Sequence, residues 1–498
     1  MKKIAIVGAG PTGIYTLFSL LQQQTPLSIS IFEQADEAGV GMPYSDDENS
    51  KLMLANIASI EIPPIYCTYL EWLQKQEASH LQRYGVKKET LHDRQFLPRI
   101  LLGEYFRDQF LRLVDQARQQ KFAVAVYESC QVTDLQITNA GVMLATNLDL
   151  PSETFDLVVI ATGHVWPDEE EATRTYFPSP WSGLMEAKVD ACNVGIMGTS
   201  LSGLDAAMAV AIQHGSFIED DKQHVTFHRD NASEKLNITL MSRTGILPEA
   251  DFYCPIPYEP LHIITDQALN AEIQKGEVGL LDRVFRLIVE EIKFADPDWS
   301  QRIALESLNV DSFAQAWFAE RKQRDPFDWA EENLQEVERN KREKHTVPWR
   351  YVILRLHEAV QEIVPHLNEH DHKRFSKGLA RVFIDNYAAI PSESIRRLLA
   401  LREAGIIHIL ALGEDYEMEI NESRTETGDE IPDVGEDYTL QQPEDIRGRV
   451  AFGALPWLMH DQPFVQGLTA CAEIGEAMAR AVVKPASRAR RRLSFNQM

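Results

Sequence analysis

IAIVGAGPTGIYTLFSLLQQQTPLSISIFEQ, residues 4–34, changes its hydrophobic period twice within one short run. Residues 4–7 are continuously apolar, as in a parallel strand covered on both faces. Ile14, Leu17, Phe18, Leu20 and Leu21 then follow helical spacing, and Leu27, Ile29 and Ile31 alternate toward Glu33. Strand, helix and strand make one βαβ crossover, and the glycines of its first turn indicate what it holds. In Gly8-Ala9-Gly10-Pro11-Thr12-Gly13, Gly8 permits a tight turn, Gly10 lets the backbone approach a pyrophosphate, and Gly13 lets helix and strand pack closely. Pro11 and Thr12 open the helix, whose orphan N–H groups and dipole favour the negative phosphates. Glu33 ends the second strand about 20 residues past Gly13, placed to accept hydrogen bonds from ribose hydroxyls, with Gln34 beside it. Asp36 and Glu37 fall past the strand end and read as solvated turn residues.

The rest of the chain is too long for a single unit. At 498 residues it exceeds the roughly 250–300 at which one core stops growing, so two or three compact units are expected. Hydrophobic residues at 44% and charged residues at 25% supply ordinary globular cores. A net charge of −26 argues against a nucleic-acid surface, which needs a basic footprint. The arginine-rich tail, Arg488 with Arg490, Arg491 and Arg492, reads as a solvated terminus. No apolar run is long enough to span a membrane, and Met1-Lys2-Lys3 passes straight into a strand without a signal-peptide core, so a cytoplasmic location is expected. Cys67, Cys130, Cys192, Cys254 and Cys471 are scattered singly, without the C-x-x-C pairs of a structural zinc site or a dithiol relay.

Further along, residues 122–162 read as short alternating strands, a β-meander feeding the apolar strand 157–160 into Ala161-Thr162-Gly163. Residues 193–197 form a second strand that runs into Gly198-Thr199-Ser200-Leu201-Ser202-Gly203 and a small-residue helix. A further strand, 238–241, ends in Ser242-Arg243. Residues 261–372 are charged, aromatic and helical in period, as in an inserted helical domain, and 414–440 read as an acidic loop. A last strand enters Gly453, and a last helix begins at Gly467. The expected division is 1–190 as the first part of an FAD-binding domain, 191–260 as an NAD(P)-binding-like unit, 261–380 as the helical insertion, and 381–498 as the return to the FAD domain.

Other segments carry candidate contacts. The loop Gly39-Val-Gly41-Met-Pro-Tyr44 and the run ending at Asn56 either line a flavin or are ordinary connections. Ala161, Thr162 and Gly163 are small enough to pass close to a nucleotide bound at the first turn. In the second glycine segment Ser200 replaces the middle glycine, so a pyrophosphate would stand off further or take a hydroxyl bond there. Arg243 stands where a cation meets the 2′-phosphate of NADPH, or else is a solvated arginine. Gly453 and the helix from Gly467 are expected near a flavin's pyrimidine edge, where helical N–H groups stabilise negative charge. His164 and His460 are the nearest proton-transfer candidates, though packing or capping roles suit them better.

These features together resemble the FAD-NAD(P)-binding family: Gly8 to Gly13 with Glu33, the Gly39–Tyr44 loop with Asn56, Phe96-Leu97-Pro98-Arg99, Ala161-Thr162-Gly163, and Ser242-Arg243. The resemblance runs over nearly the whole chain. It implies an α/β fold, a glutathione-reductase-like FAD-binding Rossmann domain with a second nucleotide-binding-like unit and a helical insertion. It implies FAD at Gly8, Gly10, Gly13 and Glu33, with Arg99 among the cofactor residues and NADPH or NADH as second cofactor. The substrate stays open, urate hydroxylation being one activity associated with the family. One departure stands out. Proteins of this type continue from the strand near 406–410 into a small meander and a further strand, whereas here residues 419–424 pass abruptly into 425–430. Either this sequence carries a deletion there, or a stretch has been left out of it.

The leading expectation is an NAD(P)H-linked, FAD-dependent oxidoreductase acting on a small organic substrate, with monooxygenation as the candidate reaction. The alternative is a non-catalytic flavin-fold protein that docks a partner through its helical insert.

Overall fold

The computed structural model describes residues 1–23, 25–46, 49–163, 176–181, 183–185, 187–220, 224–413, 433–459, 462–465 and 467–483. The chain divides into two units: Met1–Trp166, Glu422–His460 and Val465–Met498 make the first, and Pro167–Asn421 with Asp461–Phe464 the second.

The first unit opens with β1 (Lys3–Val7), α1 (Pro11–Gln22) and β2 (Ser28–Phe32). Ile4, Ala5, Ile6 and Val7 are all buried, as a strand with neighbours on both faces must be. A long excursion carries α2 (Tyr69–Lys75), α3 (Ala78–Gln82) and α4 (Arg99–Gln119), followed by β3 (Ala123–Tyr127), β4 (Val132–Thr138), β5 (Gly141–Thr146), β6 (Thr154–Phe155) and β7 (Leu157–Ile160). Here the sequence reading needs correction. Residues 123–127 do not belong to the meander; β3 pairs in parallel with β2, from Ser28↔Ala123 to Phe32↔Tyr127. Only β4, β5 and β6 are antiparallel. Alternation is a weak guide for an edge strand, which one helix, α4, covers through Leu113, Val114 and Ala117.

The second unit begins with β8 (Asn193–Met197), α5 (Leu201–Ala211), the hairpin β9 (Gly215–Glu219) and β10 (Val225–Arg229), and β11 (Asn237–Ser242). Its helical region runs through α6 (Asp266–Gln274), α7 (Leu280–Ala295), α8 (Pro297–Arg302), α9 (Val310–Lys322), α10 (Pro326–Glu343), α11 (Pro348–Gln361), α12 (Glu369–Lys377) and α13 (Leu379–Tyr387). Then come α14 (Ser392–Glu403) and β12 (Ile407–Ala411). β12 pairs in parallel with β11, starting at Ile238↔Ile407, and β11 with β8, giving the order β12-β11-β8. Residues 381–411, expected in the returning FAD domain, therefore stay in the second unit, because their strand extends its sheet.

The helical region has its own core, with Phe285, Ile288, Phe313, Leu356, Phe375 and Phe383 all nearly inaccessible. Each fully buried large apolar side chain there contributes roughly 1.5–3 kcal/mol. Glu291 on α7, itself buried, accepts the N–H groups of His262, Ile263 and Ile264 at 2.9, 2.7 and 2.8 Å and so ties down the bend that leads into α6.

The chain returns to the first unit with β13 (Val450–Phe452), α15 (Leu455–Leu458) and α16 (Gly467–Val483). β13 pairs in parallel with β7, which completes the five-stranded order β13-β7-β1-β2-β3 with β1 central. α16 lies against α1 so closely that a Cβ on Gly475 would stand 2.7 Å from the Thr16 nitrogen. Among the described residues no helix is long and apolar enough to cross a membrane.

Candidate functional site

The first glycine turn is built at the C-terminal end of β1, the central strand of its sheet. Gly8 has φ +97°, a conformation that side chains other than glycine's rarely adopt. A Cβ there would lie 2.4 Å from the Ala161 carbonyl oxygen, so Gly8 is also where the turn and the Ala161-Thr162-Gly163 segment touch. Gly13 sits over the same turn: its Cβ would be 2.2 Å from the Gly8 oxygen. Gly10 is different. It adopts an ordinary extended conformation, φ −74° and ψ −171°, and a Cβ on it would only reach van der Waals contact with Gly41 Cα at 3.4 Å. Gly8 and Gly13 are thus required by the protein's own packing, whereas Gly10 leaves an open face.

α1 begins at that face with Gly10 as N-cap, no side chain capping it and Pro11 in its first turn. The first intrahelical bond is Ile14 N–H to the Gly10 carbonyl at 2.9 Å, which leaves the N–H groups of Thr12 and Gly13 in the free first turn of the helix. The arrangement fits a pyrophosphate. Glu33 is half-buried at the end of β2, and its Oε2 accepts the Ala9 N–H at 2.8 Å while Oε1 accepts the Ala35 N–H at 3.0 Å. The carboxylate therefore braces the glycine turn as well as presenting its remaining lone pairs outward. Gln34, Asp36 and Glu37 are exposed beyond it.

Gly41, at φ +83°, passes over the turn, where a Cβ would lie 2.9 Å from Pro11 Cδ. Arg99 opens α4, its backbone N–H bonded to the Met53 carbonyl at 2.9 Å and its Nε to the Leu54 carbonyl at 3.1 Å. It stands near enough to Tyr44 to favour the phenolate, though burial and Cys471 outweigh it and raise that hydroxyl's pKa. Asn56 is exposed next to Ala55, whose N–H bonds Leu97 at 2.8 Å. Gly453 continues β13, its N–H bonded to the Ile160 carbonyl at 2.8 Å, and a Cβ on it would meet Ile474 and Met478 of α16 at 2.9 Å. Gly467 starts α16 with φ +77° and open space beside it, as does Gly163 with φ +69°. Gly8, Gly10, Gly13, Glu33, Gly41, Ala161 and Thr162 form one contiguous cluster. Asn56 and Gln34 lie on exposed surface of the same unit.

The second glycine segment repeats this construction. Gly198 has φ +112°, and a Cβ on Gly203 would lie 2.4 Å from the Gly198 oxygen, matching the relation of Gly13 to Gly8. Ser200 holds Gly10's place as N-cap, extended at φ −105° and ψ −162°, without capping through its side chain. The Leu204 N–H bonds the Ser200 carbonyl at 3.0 Å, as Ile14 bonds Gly10. Thr199 fastens the turn to the strand exit, its Oγ1 donating to the Ile246 carbonyl at 2.7 Å and lying 3.0 Å from Ser242 Oγ. Arg243 follows directly, exposed and without an ion pair among the described residues.

Sequence reasoning missed the roles of Cys471 and Gly475. Cys471 on α16 is buried and its thiol is pushed up to about 11 by that burial, despite a hydrogen bond with Thr12. Only the pairing of two distant helices makes this contact, and no local signal marks it. His164, His460 and the arginine-rich tail lie outside the described residues.

Residues 5–165 match the FAD-NAD(P)-binding family and residues 265–387 the YdhS-like middle domain. YdhS of Escherichia coli (strain K12) is 90% identical over 534 residues that cover all of both chains. This chain belongs to the YdhS family. It is an FAD-NAD(P)-binding protein of α/β type. The aligned span of 534 exceeds this chain's 498 residues by 36, so the chain lacks residues that its relative has. The interruption at 419–424 lies outside the described residues. Among solved structures, the Kutzneria sp. 744 ornithine N-hydroxylase is 13% identical with a TM-score of 0.45, covering 96% of this chain and 98% of its own. Ornithine hydroxylase from Pseudomonas aeruginosa is 12% identical with the same score, covering 97% and 100%. At these values the likeness bears on neither substrate nor reaction.

Proposed function

We propose that this chain is an FAD-dependent oxidoreductase of the cytoplasm that draws its electrons from NADPH and acts on a small organic substrate, in the manner of a monooxygenase. The observation that carries the reading is the duplicated turn: two units of one chain each end a parallel strand in a positive-φ glycine, an extended N-cap and an uncapped helix. The two differ in ways that support giving them different nucleotides. Gly10 offers bare backbone and Glu33 a carboxylate, which suit the pyrophosphate and ribose of FAD. Ser200 offers a hydroxyl and Arg243 an exposed cation, which suit a phosphorylated ribose. Bound FAD supplies the two-electron redox chemistry. The chain's residues bind and orient, with Gly41 and Ala161 closing over the first turn. All five cysteines are free, as in a reducing compartment, and none is arranged as a dithiol relay.

Anaerobic stopped-flow reduction tests the reading: NADPH bleaches the flavin band, NADH does so less efficiently, and Arg243→Ala removes the difference by slowing NADPH alone. If neither nicotinamide bleaches the flavin, the oxidoreductase reading fails and a non-catalytic binding role takes its place.

A further inference from the structure

Beyond Arg243 the chain is held at successive positions by side chains from the helical region. The Leu247 carbonyl accepts a bond from Arg321 Nη2 at 2.6 Å. The Glu249 carboxylate accepts Trp329 Nε1 at 3.0 Å and pairs with the Arg350 guanidinium. The Ala250 N–H donates to Asn333 Oδ1 at 2.8 Å. The same segment bridges to residue 390, through Ile390 N–H to the Glu249 carbonyl at 2.9 Å. These partners come from α9, α10 and α11, all within the YdhS-like middle domain.

The network is buried. The side chains of Arg321 and Arg350 are each 5% exposed, and Arg321 is further fixed by Asp385 at 2.5 Å, which also accepts Trp317 Nε1 at 2.7 Å. Burial opposes a charge on Glu249, but Arg350 and Arg321 outweigh it and hold the carboxyl below the usual range. Buried ion pairs contribute little net stability compared with apolar replacements of equal volume, since desolvation cancels the attraction. What the network supplies is a direction. Four side chains aimed at residues 247–250 fix where that backbone runs, and Thr199 of the second glycine turn holds the start of the segment at Ser242 Oγ, 3.0 Å away, and its middle at the Ile246 carbonyl, 2.7 Å away.

We propose that Glu249, clamped by Arg350 and Trp329, is a positioning residue for the second nucleotide, through which the middle domain holds the 243–250 segment so that Arg243 meets the 2′-phosphate of NADP. The proposal rests on the assignment of Arg243 made above.

Three variants test it, with NADP⁺ and NAD⁺ titrated calorimetrically into the FAD-loaded full chain. Glu249→Met with Arg350→Met removes both charges together and keeps apolar volume. Trp329→Phe keeps the ring and deletes one donor. Arg243→Ala is the reference. The double variant retains the flavin spectrum and melting temperature, and its preference for NADP⁺ over NAD⁺ falls by about fivefold or more, the scale of coupling between linked sites. Trp329→Phe moves the same ratio in the same direction by less. If Arg243→Ala loses the preference while the folded double variant and Trp329→Phe keep it, the positioning role is overturned and the assignment of Arg243 stands. If the wild-type protein shows no preference that depends on Arg243, both fall. Should the double variant not fold, Trp329→Phe decides by the same ratio.

Discussion

Alanine at Gly10 and alanine at Gly13 separate ligand binding from folding, although the two positions lie in one motif. A Cβ at Gly13 would stand 2.2 Å from the Gly8 oxygen, far inside contact, and the neighbour is backbone that cannot swing aside. The usual gain of about 1 kcal/mol for replacing glycine in a helix is therefore exceeded by the cost of separating α1 from the turn, about 1–3 kcal/mol or more for overpacking. A net loss of 1 kcal/mol lowers the melting temperature by about 2–4 °C in a unit of 150–250 residues. At Gly10 the new Cβ meets only Gly41 Cα at 3.4 Å, and φ −74° suits alanine, so the flavin-free protein keeps its melting temperature. The methyl group instead occupies the face that a pyrophosphate needs. Loss of one well-placed backbone contact at about 1.4 kcal/mol is tenfold in affinity, so Gly10→Ala weakens FAD at least tenfold. Thermal melts of apoprotein and calorimetric FAD titrations of both variants read the two effects. A yellow Gly10→Ala protein with unchanged FAD affinity refutes the pyrophosphate cradle, and a Gly13→Ala protein as stable as the wild type refutes the packing argument.

Glu33→Ala weakens FAD by about 1–3 kcal/mol, the range for a hydrogen bond to a charged group, and also lowers the melting temperature of the apoprotein because Ala9 and Ala35 lose their acceptor. An unchanged FAD dissociation constant would hand the ribose to Asp36 or Glu37. Glu291→Ala leaves three backbone N–H groups without their acceptor, that of Ile264 fully buried, and urea denaturation should show a loss of about 1–3 kcal/mol, the cost of a buried unsatisfied group. Arg374 bonds Asp282 and Asp311, and these bonds hold both carboxyls below the ordinary aspartate range. Their contribution is complete above the unfolded value near about 3.9 and is lost as pH falls through the depressed folded values, so Arg374→Met flattens the acid limb of the stability curve. Both carboxylates are about half exposed, so added salt should shrink the effect, and an acid limb identical to wild type would exclude the pairing.

The first turn was legible in the sequence because every requirement on it is local: Gly8, Gly10 and Gly13 do their work within six residues of one another, and Glu33 reaches back across a single βαβ unit. In the second turn Ser200 replaces the middle glycine, yet the N-cap position asks only for extended backbone, which serine adopts as easily as glycine. Legibility ended where a residue's role depends on a distant partner. β12 joins β11 across the whole helical region, and nothing in residues 407–411 announces that strand's neighbour.

The same limit hides the Glu249–Arg350 pair from the sequence. Arg350 lies 101 residues from Glu249, in a helical stretch where most charges are solvated, and amphipathic periodicity cannot distinguish a buried arginine from an exposed one. Periodicity records which face of a helix is apolar, whereas burial of a charge is decided by what arrives opposite it. Once the two are opposed, neither can change alone: replacing one leaves the other charged, dry and unpaired, at a cost of about 3–5 kcal/mol, while replacing both costs little. The pair is therefore cheap to keep and costly to break, and it fastens the strand exit that carries Arg243 to the helices of the middle domain.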